Sequence, residues 1–126
     1  MTVKEFGVEA ERSDVNSGVW VNGNKISAVG INASRWITMH GTSFNINCDL
    51  KYFADIVPCG INPARGGVCK LNDYICDEIT PKEIIPVWQK SFSVVFDTTL
   101  ETSSAEEIAE LLLHSLEYNE NYLKSI

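Results

Sequence analysis

Cys59 stands in Pro58-Cys59-Gly60, between a residue of fixed φ and one without a side chain, so its thiol can be presented to a substrate with little obstruction. A free thiol with a pKa near about 8.5 is mostly protonated at neutral pH, so nucleophilic chemistry needs a cation or a base beside it. One opposite charge at contact distance typically lowers a pKa by about 1 to 3. Lys25, Arg35, His40 and Arg65 are the candidate partners, and spacing does not choose among them. His40, followed by Gly41, would be the base by triad logic; otherwise it hydrogen-bonds locally to hold its loop. Arg65-Gly66-Gly67 has the look of an anion-binding turn, with a solvated loop as the default. The other thiols are Cys48, Cys69 and Cys76, and the gaps along the four cysteines are ten, nine and six residues. None is the CxxC spacing of a zinc knuckle, so no metal is expected, and free thiols in a reducing compartment are.

The elements that must position these groups are legible in part. Gly18-Val-Trp-Val, then Asn22-Gly23, then Asn24 to Ile31 read as a β-hairpin with a type I′ turn. That register sets Val21 opposite Asn24 and Trp20 opposite Lys25, with the lysine on a strand edge beside a large aromatic. Arg35 to Gly41 and Ser43 to Cys48 follow as β-rich runs; in the second, Phe44, Ile46 and Cys48 alternate with asparagines and predict one apolar face. A short helix is predicted over 49–56, with Leu50, Phe53 and Ile56 inward, stopped by Val57-Pro58. Thr80-Pro81-Lys82-Glu83 is a capping-box helix start, and Pro86 should kink the helix or delay its regular part. Ser103 or Ser104 opens a last helix, with Ile108, Leu111, Leu112 and Leu116 in a stripe; His114 lies on it as a surface residue. Val3, Phe6 and Val8 read as the end of an amphipathic helix.

The chain has 126 residues, 44% hydrophobic and 21% charged, which is material for one folded α/β or α+β unit. Its net charge of −7 argues against a nucleic-acid backbone as the main partner and disfavours an anionic membrane surface. Most of that acidity lies beyond residue 96, where seven acids face Lys124 alone. No apolar stretch approaches the length of a membrane span, and the first residues lack the apolar run of a signal peptide. No nucleotide-binding motif is present, so no cofactor is expected.

GVWVNGNKISAVGI, RWITMHG and NCDLKYFADIVPCGI, in that order, resemble the C-terminal half of the octanoyltransferases of lipoate biosynthesis, the lipoyl(octanoyl) transferases. The match runs from about Gly18 to Ile61, with weaker similarity through Thr80 to Asp97. The resemblance implies an α/β fold of the biotin/lipoate protein ligase type, present as its C-terminal portion over residues 1–97, with 98–126 an acidic helical extension. It implies transfer of an octanoyl group from acyl carrier protein to a lysine of lipoyl domains, those of 2-oxoacid dehydrogenase and glycine cleavage proteins, through an acyl-enzyme thioester.

By the same resemblance Cys59 is the nucleophile, and Lys25, 34 residues before it, is the lysine that lowers its pKa. Ala28, Val29 and Gly30 match the family's AIG segment, and Gly41, Thr42 and Ser43 follow its histidine; these six are expected to contact the acyl chain. Backbone N–H groups near Gly30 and Gly60 are candidate oxyanion donors. Three departures stand out. Gly41-Thr42-Ser43-Phe44 replaces an apolar G-[LF]-A-L, Cys69 and Lys70 stand where a threonine and serine are usual, and no RGG…HGPGQ segment precedes Gly18. The expectation is a domain half whose strand faces and pocket wall are exposed. The alternative, from another class, is an incomplete fragment that only binds a lipoyl domain or the carrier protein. Family members act in the bacterial cytoplasm or, in eukaryotes, in mitochondria, and the sequence around NCDL and ITPKEIIP favours the latter.

Overall fold

The computed structural model describes the backbone of residues 1–14, 16–58, 61 and 66–124, and the side chains of these as far as His114. Four strands form an antiparallel sheet in chain order: β1 (Glu11–Arg12), β2 (Val19–Val21), β3 (Asn24–Ser34) and β4 (Ile37–Phe44). Helix α1 spans Pro81–Phe96 and α2 spans Ala105–Lys124. The mixed α/β architecture agrees with the class read from the sequence.

The β2–β3 hairpin has the register that its turn dictates. Asn22 and Gly23 both take positive φ, 49° and 77°, as a type I′ turn requires. Val21 then pairs with Asn24 and Trp20 with Lys25, and a bulge follows between Val19 and Trp20. β3 continues beyond β2 and pairs with β4 from Ser27–Phe44 out to Ser34–Ile37, closed by Arg35 and Trp36, again both at positive φ. The outer part of this ribbon is bare: Ile31, Trp36, Ile37 and Met39 are each at least 70% exposed.

The core sits at the inner end of the sheet, where Val21, Ile26, Ile46, Leu71 and Ile84 pack with Val3 and Val8. Val3 arrives on a 3₁₀ helix, Thr2–Phe6, rather than on an α-helix; Gly7 at φ 73° ends it after five residues, and Val8 follows the cap. β4 also stops earlier than the alternation over 44–48 predicts. After Phe44 the backbone of Asn45 and Ile46 turns to accept from Leu71 and Asn72, 2.9 and 3.0 Å, and Cys48 is left exposed. Two-residue periodicity cannot tell a strand from a segment whose carbonyls are claimed by a distant loop.

Over 49–56 the chain forms a 3₁₀ helix, Leu50–Asp55, in which Asp49 accepts from Lys51 N at 3.0 Å. Ile56 is exposed rather than inward. At α1, Glu83 Oε2 accepts from Thr80 N at 2.8 Å and from its hydroxyl at 2.9 Å, and the Thr80 groups hold the carboxyl below its usual range. This cap is present when Glu83 is ionised and is lost as pH falls through its depressed pKa. The helix runs through Pro86 as one element. Ser104 and Glu107 exchange hydrogen bonds of 2.8 and 3.1 Å at the start of α2, so of the two serines offered by the sequence it is Ser104 that caps the helix.

Candidate active site

Lys25 enters β3 one residue after the turn and is 4% exposed. The expectation of a strand edge is corrected here, for a long-range reason. β4 reaches only as far as Ser27, and the edge of β3 below it is taken by the segment after the Cys59 loop. Lys25 N donates to Gly67 O at 2.9 Å, Cys69 N donates to Lys25 O at 3.0 Å, and Val68 forms a parallel bridge to Lys25. Asn24 fastens the same segment from its side chain, accepting from Gly67 N at 2.9 Å.

The Lys25 stem packs against Gly18, where a Cβ would lie 3.3 Å from its Cε and 2.4 Å from Ser27 O. Its Nζ lies 5.2 Å from the centroid of the Trp20 ring and donates to Asn16 Oδ1. Among the described residues no carboxylate pairs with it; the ion pairs Lys4–Glu9 and Lys51–Asp49 are both at the surface. A buried ammonium held by neutral groups keeps its field for whatever anion comes beside it.

The six residues expected to contact an acyl chain come together as three successive rungs of the ribbon, Ala28–Ser43, Val29–Thr42 and Gly30–Gly41. Alternation places Lys25, Ser27, Val29 and Ile31 on one face of β3. Along that face an open cleft of about 1110 Å³ runs between the ribbon and α1, lined by Val29, Ile31, Thr42, Trp88 and Phe92, with a recess at Ser27 and Phe44 adjoining it. Trp88, Phe92 and Phe96 stack along α1 with centroids 5.3 and 4.4 Å apart, giving the cleft an aromatic wall that the motifs did not foretell. The hydroxyl of Thr42 donates to Ala28 O at 3.1 Å, and that of Ser27 donates to Ser43 O at 2.7 Å. At Gly30 and Gly41 a Cβ would meet nothing within 4 Å, so these glycines leave the ribbon backbone bare rather than serve packing.

Cys59, Gly60 and Arg65 lie outside the described residues. What brackets them is fixed: Ile61 is buried and donates to Pro58 O at 3.0 Å, and Gly66 to Cys69 run along the hairpin and Lys25. His40 and Arg35 are separated from Lys25. His40 pairs with Ile31, six residues up the strand or roughly 20 Å at about 3.3 Å per residue, and Arg35 closes the tip of the ribbon.

The described thiols are free, with Cys48 and Cys76 exposed and Cys69 buried. Burial pushes the Cys69 thiol up, and its Sγ donates to Asn24 O at 3.5 Å. Tyr74 is pushed up to about 12, by burial first and by Cys69 second, so it stays protonated at any working pH. Alkylation at neutral pH should therefore modify Cys69 at least about tenfold more slowly than Cys48 or Cys76 in peptide maps of native protein, with the gap closing on denaturation. Equal rates would show that Cys69 is not enclosed as described.

The profile of the lipoyl protein ligase A/B catalytic domain matches residues 1–93. The chain is 42% identical over 106 residues to an octanoyltransferase of Synechococcus sp. (strain JA-3-3Ab), covering 84% of this chain and 40% of that one. It is 36% identical over 117 residues to an octanoyltransferase of Caldicellulosiruptor saccharolyticus, covering 92% and 49%. To a mitochondrial octanoyl-(acyl-carrier-protein):protein N-octanoyltransferase of Danio rerio it is 42% identical over 96 residues, covering 76% and 42%. The chain thus spans less than half the length of each of these relatives. With the profile covering most of its length and the paired ribbon and buried lysine on the matched segment, the chain belongs to the lipoyl protein ligase A/B catalytic domain family.

Proposed function

We propose that the chain is the part of an octanoyltransferase that carries its nucleophile and activating cation, moving octanoyl from acyl carrier protein to a lysine of lipoyl domains. The observation that carries the reading is the Lys25 ammonium, buried without a carboxylate among the described residues, with the return segment of the Cys59 loop hydrogen-bonded to its backbone. In this reading the Cys59 thiolate attacks the carrier thioester; a carbon–sulfur bond forms and the carrier thiolate leaves. The lipoyl-domain amine then attacks the new thioester, a carbon–nitrogen bond forms, Cys59 leaves as thiolate, and the amine proton passes to solvent. Lys25 stabilises the thiolate in both halves. The acyl chain lies in the apolar cleft over Val29, Gly41 and Thr42, the members of the six that line it.

Residues 1–97 form the transferase part and 98–126 an acidic extension in this reading, which the family match ending at residue 93 supports. The same reading expects the mitochondrion in a eukaryotic cell, as in the name of the Danio rerio relative, and the cytoplasm in a bacterial one. The test is octanoyl transfer from octanoyl-acyl carrier protein to an unmodified lipoyl domain, followed by mass spectrometry of the domain. A gain of one octanoyl group on its lysine, abolished by Cys59→Ser, is expected. Binding of the lipoyl domain with no transfer would instead mark a docking module.

A further inference from the structure

We infer that Asn16 and Trp20 are the positioning residues of Lys25, holding its ammonium desolvated and un-neutralised so that its field acts on the thiol; the inference rests on the role proposed for Lys25 above. A free lysine side chain has four rotatable bonds and a strongly hydrated head, so burial alone would not fix it. Among the described residues, each contact of the head is with a neutral group. Asn16 Oδ1 accepts from Nζ, and the Trp20 ring offers its π face at 5.2 Å. The two holders are themselves tied together, because Trp20 Nε1 donates to Asn16 O at 3.1 Å. Trp20 is in turn fixed by pairing with Lys25 across the hairpin and by Gly66, where a Cβ would lie 3.4 Å from the ring.

The choice of neutral holders is what matters chemically. An aspartate at position 16 would hold the ammonium as firmly but would cancel its charge, and the thiol would lose the cation that favours its ionised form. An amide oxygen orients the head and leaves the positive charge whole. The signal in the sequence is slight, a lone asparagine nine residues before the lysine, and only the fold brings the two together.

The test is the pH profile of Cys59 alkylation by iodoacetamide in the full chain, read by peptide mapping, for the native protein, Asn16→Asp, Trp20→Phe and Lys25→Met. Asn16→Asp should move the midpoint up by about one pH unit and so lower labelling at neutral pH about tenfold, with the far-ultraviolet dichroism retained. Trp20→Phe keeps an aromatic face but loses the N–H to Asn16, and should move the midpoint the same way by less. It also serves as the working variant if the carboxylate prevents folding. A profile that moves in Lys25→Met and stays native in both other variants overturns the inference and leaves the role of Lys25 standing. A profile that moves in none of the three overturns both.

Discussion

Replacing Lys25 with methionine is expected to lower the rate at which Cys59 takes up an acyl group by about a hundredfold at neutral pH. Methionine keeps most of the apolar stem that packs against Gly18 and removes only the charge, so the hairpin should survive. A cation at contact is worth about 1 to 3 on a thiol pKa, and below that pKa the thiolate fraction falls tenfold for each step. The loss should therefore shrink as pH rises, and the two proteins should converge in alkaline solution, where both thiols are ionised. Stopped-flow or quenched labelling across pH reads this directly. A loss that stays constant with pH would mean that Lys25 acts on folding or on substrate binding rather than on the thiol.

Gly66→Ala should cost a similar factor by a different route. Gly66 has φ 137°, a conformation that L side chains rarely adopt, and a Cβ there would stand 2.0 Å from Gly23 O, a backbone atom that cannot step aside. The segment must lift from the hairpin turn, breaking the Gly67–Asn24 and Lys25–Gly67 hydrogen bonds of 2.9 Å. That segment carries the return of the Cys59 loop, and a displacement of the order of 1 Å can cost about a hundredfold in rate. The core around Ile26 and Leu71 is built from other contacts, so the dichroism should remain that of a folded chain. Native transfer rates in a folded Gly66→Ala protein would show that the loop is positioned without this seat.

What was legible in the sequence was local. Asn22-Gly23 fixes a two-residue turn by its backbone preferences alone, and with it the pairing of Trp20 with Lys25. The capping box at Thr80 and Glu83 is a local device and reads directly, and the start of α2 reads to within one residue, Ser103 or Ser104. The six ribbon residues, identified by resemblance, fall on consecutive rungs because both segments are strands of one hairpin. What escaped was set by distant contacts. The parallel seat of Gly67 to Cys69 on β3 joins residues more than forty apart, and it turned an expected edge lysine into a buried one. Just beyond that seat Leu71 and Asn72 claim the carbonyls of Asn45 and Ile46, so β4 ends at Phe44 and Cys48 is exposed. Trp88, Phe92 and Phe96 recur every four residues along α1, but an amphipathic pattern does not say whether a face packs into a core or lines a cleft.

If Lys25 makes Cys59 the strongest nucleophile in the chain, Cys59 is the thiol that an acyl donor modifies first. Peptide mapping after brief exposure to octanoyl-acyl carrier protein tests it most directly. An octanoyl thioester is expected on Cys59, removed by neutral hydroxylamine, at a level far above any of the other thiols and greatly reduced in Lys25→Met. An adduct that forms instead on Cys48, Cys69 or Cys76, or equally on all four, would contradict it.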